Sequence, residues 1–375
     1  MVQVIAFIVI IIGLWALLLL NKGVQIIHAV DYHPDSDIAE KIKKLRKQAN
    51  LDEPLYEVYQ DIPVIDVHNH DVKYLDMTET RGQESSDSLI EVWKEYGIDK
   101  TVLFGDVSEP SAIVTDKLSW KYYQKYPDLI IPSFAGFPIA SNGNGPEMVE
   151  EMLEQGYLAI GEIYAASTYS EAANVIWKGE HPYWGEFPKI YELAARYKVP
   201  ILLHIDPPSG TPILHLKKAL TNHPDTLFVF AHGNVYTSPQ QLKSLLDEFE
   251  NLYIDFFAGF TRFNQSSNYS LEDFIPVIES HADRFFMGTD SGFDIGLENS
   301  YHALYETLHM LSPETAAGVA YQNYERLIEE QTPSEYQVNR IKELCKKLGI
   351  NNKTYEINKR EANELIFQLE KLSKE

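Results

Sequence analysis

Cysteine is almost absent: Cys345 is the only one in 375 residues. That excludes an intrachain disulfide and any CxxC-type metal site. Basic residues are scarce, 32 Lys and Arg against 55 Asp and Glu, for a formal charge of −23. A surface that acidic repels phosphate backbones, so no nucleic-acid partner is expected. No Gly-rich turn follows the first apolar strand, which removes the mark of a doubly wound dinucleotide fold. There is no internal repeat and no low-complexity tract. What remains is a chain that is 45% hydrophobic, enough for one large or two small cores.

Long hydrophobic runs are also missing, with one exception. Residues 2–20 are apolar apart from Gln3 and contain one glycine, Gly13. As a helix this run would span about 28 Å, close to the hydrocarbon thickness of a bilayer. No basic residue precedes it, and Asn21-Lys22-Gly23-Val24 is a poor cleavage site. Residues 1–22 therefore read as an uncleaved, single-pass membrane anchor, its orientation left open. Residues 23–60 read as a tether carrying a short amphipathic helix marked by Ile38, Ile42, Leu45 and Ala49.

From Asp61 onward, strand and helix patterns alternate. Short apolar strands are expected at 64–67, 100–104, 130–135, 158–163, 199–204, 226–232, 252–256 and 284–290, with helical segments between them. Eight strands in about 230 residues is the proportion of a (β/α)8 TIM barrel, an α/β fold. A barrel domain over residues 61–330 is expected, followed by a C-terminal helical extension over 331–375. That extension shows two helical patterns, one with Leu344 and Leu348, the other with Ala362, Leu365, Ile366, Leu369 and Leu372.

Several of these strands end in metal-ligand residue types. Val64-Ile65-Asp66-Val67 runs into His68-Asn69-His70; Ala159-Ile160-Gly161 ends in Glu162; Ile201-Leu202-Leu203 ends in His204; Phe228-Val229-Phe230-Ala231 ends in His232; Phe286-Met287-Gly288-Thr289 ends in Asp290. In a parallel barrel these tips converge on the C-terminal face. Strand alternation puts His68 and His70 on one side, able to grip one ion. Each residue alone has an ordinary alternative, as a hydrogen-bonded core histidine or a turn-capping aspartate. The ordered set is what points to a divalent-metal site. Asp66 shares the His68 face one rung deeper and is placed to support a ligand or to line a polar floor layer.

His68-Asn69-His70 on the first strand, Leu-Leu-His204 on the fifth, Phe-Ala-His232-Gly on the sixth and Gly-Thr-Asp290-Ser-Gly on the eighth resemble the metal-dependent amidohydrolase superfamily. The branch most similar is the amidohydrolase-related group, which includes decarboxylases of the aminocarboxymuconate semialdehyde type. The resemblance covers roughly residues 61–330. It implies that His68, His70 and His204 bind metal. Asp290 would contact metal and accept the proton of a metal-activated water. His232 would bind a second metal, or orient and protonate the substrate. The carbamylated lysine of two-metal members is replaced here by Glu162, in a Gly161-Glu162-Ile163 run similar to that of the TatD-like deoxyribonucleases. Glu162 would bridge two ions or support a histidine. One or two divalent ions are implied, zinc by default.

Arg262, after the seventh strand, would clamp a substrate carboxylate or phosphate, or form a surface salt bridge. Tyr164, Tyr169, His181, Trp184 and Tyr236 stand in loops over the same face. The expected activity is hydrolysis of a small-molecule amide, ester or lactone. The alternatives are non-oxidative decarboxylation of a small carboxylic acid and an inactive, anchored scaffold. The oligomeric state is left open.

Overall fold

The computed structural model describes residues 36–48, 53–80, 89–141, 143–167, 176–291, 295–350 and 357–374. The eight strands are β1 Val64–Asn69, β2 Ile98–Leu103, β3 Ile130–Phe134, β4 Ala159–Ala166, β5 Ile201–Ile205, β6 Phe228–Phe230, β7 Leu252–Phe256 and β8 Phe285–Met287. They pair in parallel and in sequence order, each with the next. Helices such as Ala112–Lys125, Phe187–Tyr197 and Pro239–Glu248 connect them and cover the outside. This is the expected (β/α)8 barrel.

Nearly every strand residue is buried, because strands inside a helical ring are covered on both faces. Two strands are shorter than their apolar runs. β6 stops at Phe230 and β8 at Met287, so His232 and Asp290 lie beyond the ladder. Both take left-handed backbone conformations, φ 37° for His232 and 43° for Asp290. A non-glycine residue there leaves the extended strand geometry, which ends the pairing.

No backbone ladder joins β8 to β1 among the described residues. Side chains stitch this seam. The buried Asp66 carboxylate accepts from the Thr289 backbone N–H at 3.0 Å and from the Thr289 hydroxyl at 2.7 Å. It also accepts from the His68 N–H, the Asn69 amide and the Tyr301 hydroxyl. The Ser291 hydroxyl accepts from the His70 N–H at 2.8 Å. Asp66 thus ties the two strands that flank the seam rather than supporting an imidazole.

The expected membrane anchor is corrected. Among the described residues, no helix is long and apolar enough to cross a membrane. The apolar run at 2–20 lies outside the described residues. The helix expected at the tether spans Ser36–Gln48, and its Arg46 donates to the Leu308 carbonyl at 2.6 Å. Helices Glu335–Leu348 and Lys359–Leu372 pack side by side with their N-termini together, Gln337 donating to the Lys359 carbonyl and to Asn363, and the first lies against the 145–155 helix. Asn363 donates to the Gly156 carbonyl at 2.8 Å, and Ser334 to that of Glu154 at 2.6 Å. Gly156, at φ 115°, ends the 145–155 helix in a conformation that favours glycine, and a β-carbon there would strike the Asn363 amide.

Lys359 is fully buried and donates to the Leu153 carbonyl. Burial pushes its ammonium down to about 7. In the unfolded chain the group titrates near its ordinary 10.5. Between these values the unfolded chain holds the proton and the folded chain does not, so folding becomes more favourable as pH rises. The stability difference between wild type and Lys359→Met should shift toward wild type from pH 7 to pH 9, read as denaturant midpoints. A pH-independent difference would contradict the depressed value.

Candidate metal centre

At the C-terminal mouth of the barrel two donor groups face each other. His68, His70 and Asp290 form one; Glu162, His204 and His232 form the other, with donor atoms in each group within 4.8 Å of one another. Glu162 joins them. Its Oε2 lies 3.6 Å from His68 Nε2 and 3.4 Å from His70 Nε2. Its Oε1 lies 3.1 Å from both His204 Nδ1 and His232 Nε2. Asp290 Oδ1 stands 3.9 Å from both Nε2 atoms of the first group. All six residues come from the expected strand ends, and the structure brings all six together.

Local sequence explains the placements. His68 lies within β1, and His70 directly follows its end at Asn69. Glu162 follows Gly161, whose φ is 129°; a β-carbon there would sit 2.7 Å from the Leu202 carbonyl. Only glycine lets β4 approach β5 closely enough to aim Glu162 between the two groups. Gly288 plays the equivalent part before Asp290, since a β-carbon would sit 2.1 Å from Asp255 Oδ1 and 2.7 Å from the His68 β-carbon.

The outward nitrogens of three imidazoles are already committed. His68 Nδ1 is 2.7 Å from Asp255 Oδ2, His70 Nδ1 is 2.8 Å from the Gly105 carbonyl, and His204 Nε2 is 2.8 Å from Asp206 Oδ2. Each outward nitrogen donates, which fixes the tautomer and turns the inward nitrogen's lone pair toward the centre. The inward nitrogens then confront each other: His68 Nε2 and His70 Nε2 at 2.9 Å, His204 Nδ1 and His232 Nε2 at 3.0 Å. In the His68–His70 pair both lone pairs point at each other and repel, and a positive charge between them, a proton or a metal ion, removes the conflict. The His232 tautomer is not fixed in this way, and its Nε2 can donate to His204 Nδ1 or to Glu162. The six residues are donor types that fit a divalent ion.

Electrostatics agree. Burial alone would push the His68 imidazole down, yet the carboxylates of Asp255, Glu162 and Asp290 hold it well above its ordinary value. Burial alone would push Glu162 up, and the surrounding imidazoles, His68 foremost, hold it well below the carboxylate range. The centre is arranged to hold positive charge.

Sequence reading did not anticipate Asp255, Asp206 or the Gly105 carbonyl. Asp255 is fully buried in β7, and its Oδ2 also accepts from the His232 backbone N–H at 2.8 Å. Its signal was an acidic residue inside the apolar run Leu252-Tyr253-Ile254-Asp255-Phe256. Arg262 goes elsewhere. It is half exposed, donates to Glu306 at 2.8 Å and lies over the Phe263 ring, as in a surface salt bridge. It does not line the cavity above the centre. Tyr164 and Tyr236 do line it. Trp184 borders a neighbouring recess, His181 stacks on His215, and Tyr169 lies outside the described residues.

Residues 65–328 match the amidohydrolase family model, and the chain belongs to that family. Its members act on small molecules through a divalent metal, as hydrolases or decarboxylases. No curated protein matches the chain. An uncharacterized TIM-barrel protein from Bordetella bronchiseptica shares the fold at 17% identity and TM-score 0.54, covering 71% of this chain and 98% of its own. A 2,6-dihydroxybenzoate decarboxylase from Rhizobium is similar at 13% identity and TM-score 0.48, covering 71% and 98%. A probable 2-pyrone-4,6-dicarboxylic acid hydrolase from Acinetobacter baumannii stands at 14% and 0.48, covering 70% and 98%.

Asp255→Asn keeps the side-chain shape but removes the charge behind His68. Metal affinity should fall by about 10- to 100-fold, measured by titrating the metal-stripped protein with zinc against a competing chelator. An unchanged affinity would show that Asp255 does not orient the ligand.

Proposed function

We propose that this protein is a metal-dependent hydrolase that cleaves an amide, ester or lactone bond in a small molecule, with two divalent ions, most simply zinc, shared across Glu162. The observation that carries this reading is Asp290. Its carboxylate stands 3.9 Å from the inward nitrogens of both His68 and His70 and lines a cavity of about 610 Å³. A carboxylate so placed reaches both the metal position and the space where a substrate sits.

When bound, the ions supply Lewis-acid polarisation of the scissile carbonyl and acidify the attacking water. The residues do the rest. His68, His70, His204 and His232 hold the donor geometry, and Asp255 and Asp206 keep His68 and His204 in the required tautomers. Asp290 accepts the proton of the attacking water and passes it to the leaving group. Its left-handed backbone turns the carboxylate inward from the end of β8. His232 is committed to Glu162 and His204 through its inward nitrogen, so its role here is as a ligand.

Decarboxylation is the competing chemistry within this family. It requires a substrate carboxylate to be held, and no Lys or Arg lines the cavity among the described residues. A divalent ion in the centre would itself hold that carboxylate, so decarboxylation of a small carboxylic acid stands beside hydrolysis as the second reading.

Two substitutions test the reading together. Asp290→Asn should retain metal and lose about 10²- to 10⁴-fold in kcat on whichever ester, lactone or amide the wild type turns over. Full turnover with metal bound would remove Asp290 from proton transfer. Glu162→Gln should lower bound metal from two ions per chain toward one, read by elemental analysis; unchanged stoichiometry would contradict the bridge.

A further inference from the structure

Glu162 faces both halves of the centre, yet no regular ladder frames it. β3 pairs with β4 only as far as Phe134 and Ile160. On the other edge of β4 the register with β5 shifts between Ile160 and Ile163. Gly161 and Glu162 fall in this gap on both sides. The carboxylate is held only by the imidazoles of His68, His70, His204 and His232 among the described residues. Once metal binds, those nitrogens become ligands and stop holding the carboxylate. The backbone beneath Glu162 must then aim it.

That backbone is held from a strand two places away. Ser108, in the loop after β2, is fully buried. Its N–H donates to the Glu162 carbonyl at 3.2 Å, and its hydroxyl oxygen accepts from the Tyr164 N–H at 2.8 Å. The Ser133 hydroxyl on β3 donates to the Gly161 carbonyl at 2.9 Å. Beyond the end of β3, Ser108 thus takes the place of a ladder partner. The loop that carries it is anchored in turn, because the Asp106 N–H donates to the Thr115 hydroxyl at 2.9 Å. Its Gly105 carbonyl takes the outward nitrogen of His70. None of the six donor residues lies in this loop, yet it reaches two of them, His70 and Glu162.

We infer that Ser108 is a positioning residue for Glu162. By holding the peptide groups at Glu162 and Tyr164 it sets the point between the two donor groups that the carboxylate reaches. This rests on the reading of Glu162 as a metal ligand. Without the hydroxyl, the Tyr164 N–H loses its partner and β4 is free to relax away from the loop. A shift of the backbone under a buried ligand carries the carboxylate with it, as loss of other outer partners of ligands does.

The test compares Ser108→Ala with a control, Thr226→Val. The control removes a buried hydroxyl that donates to the Tyr191 carbonyl at 2.9 Å, before the start of β6 and so at the opposite end of the barrel. Each variant loses one buried hydrogen bond, and both should show lower denaturant midpoints than the wild type. The full-length chains, stripped of metal, are titrated with zinc against a competing chelator. Cobalt-loaded samples are compared by their visible ligand-field bands. Ser108→Ala should bind zinc about tenfold or more weakly and alter the cobalt bands, while Thr226→Val matches the wild type in both. Wild-type affinity and bands in Ser108→Ala, or an equal loss in Thr226→Val, overturns the inference and leaves the metal centre standing. A wild-type chain that takes up neither metal ends the metal reading, and the inference with it.

Discussion

His68 Nε2 and His70 Nε2 meet at 2.9 Å with both outward N–H groups already taken, by Asp255 and the Gly105 carbonyl. In neutral rings neither inward nitrogen then has a hydrogen to share, so the pair favours a positive charge between them. His204 and His232 meet at 3.0 Å beside it, with only His204 fixed from behind, by Asp206. The rest of the mouth follows from this constraint: the buried glutamate between the pairs, the aspartate at their edge, and the glycines that let strands come close enough to aim them.

β1 and β8 share no ladder among the described residues, and the stitch between them runs through Asp66, Thr289 and Ser291. Those residues flank His68, His70 and Asp290 in sequence. Closing the seam and assembling half of the donor set are thus one event. Asp66 below and the donor groups above depend on the same register between β1 and the segment after β8. A side-chain seam constrains position less than a ladder does, which gives Asp290 room for the left-handed turn that aims it inward.

The barrel and most of the centre were legible because parallel strands buried on both faces write themselves as short apolar runs. His68, Glu162 and His204 end such runs while still on or beside the ladder, so alternation placed them well. His232 and Asp290 were found by the same rule but sit past their strands, in backbone conformations that composition does not announce. Asp255 was missed because its neighbours are apolar and its partner, His68, is 187 positions away. Arg262 shows the opposite failure. Its position after β7 suggested the mouth, yet a long flexible side chain can turn to a carboxylate on a neighbouring helix, and Glu306 of Leu297–Met310 supplies one. The anchor at 1–22 rested on the apolar run 2–20 and on the lack of a cleavage signal; that run lies outside the described residues, and among those no helix has the length or apolarity to cross a membrane.

The balance of charge at the mouth bears on how many ions it suits. Glu162 and Asp290 face the centre directly, while Asp255 and Asp206 stand one imidazole behind it. Were only one divalent ion present, Glu162 and Asp290 would already match it. Asp255 and Asp206 would then stand as excess buried or half-buried negative charge beside neutral rings, an arrangement that burial penalises. With an ion in each half, the four carboxyl groups and the two ions would cancel. The carboxylates behind the imidazoles would then both orient ligands and offset a second charge.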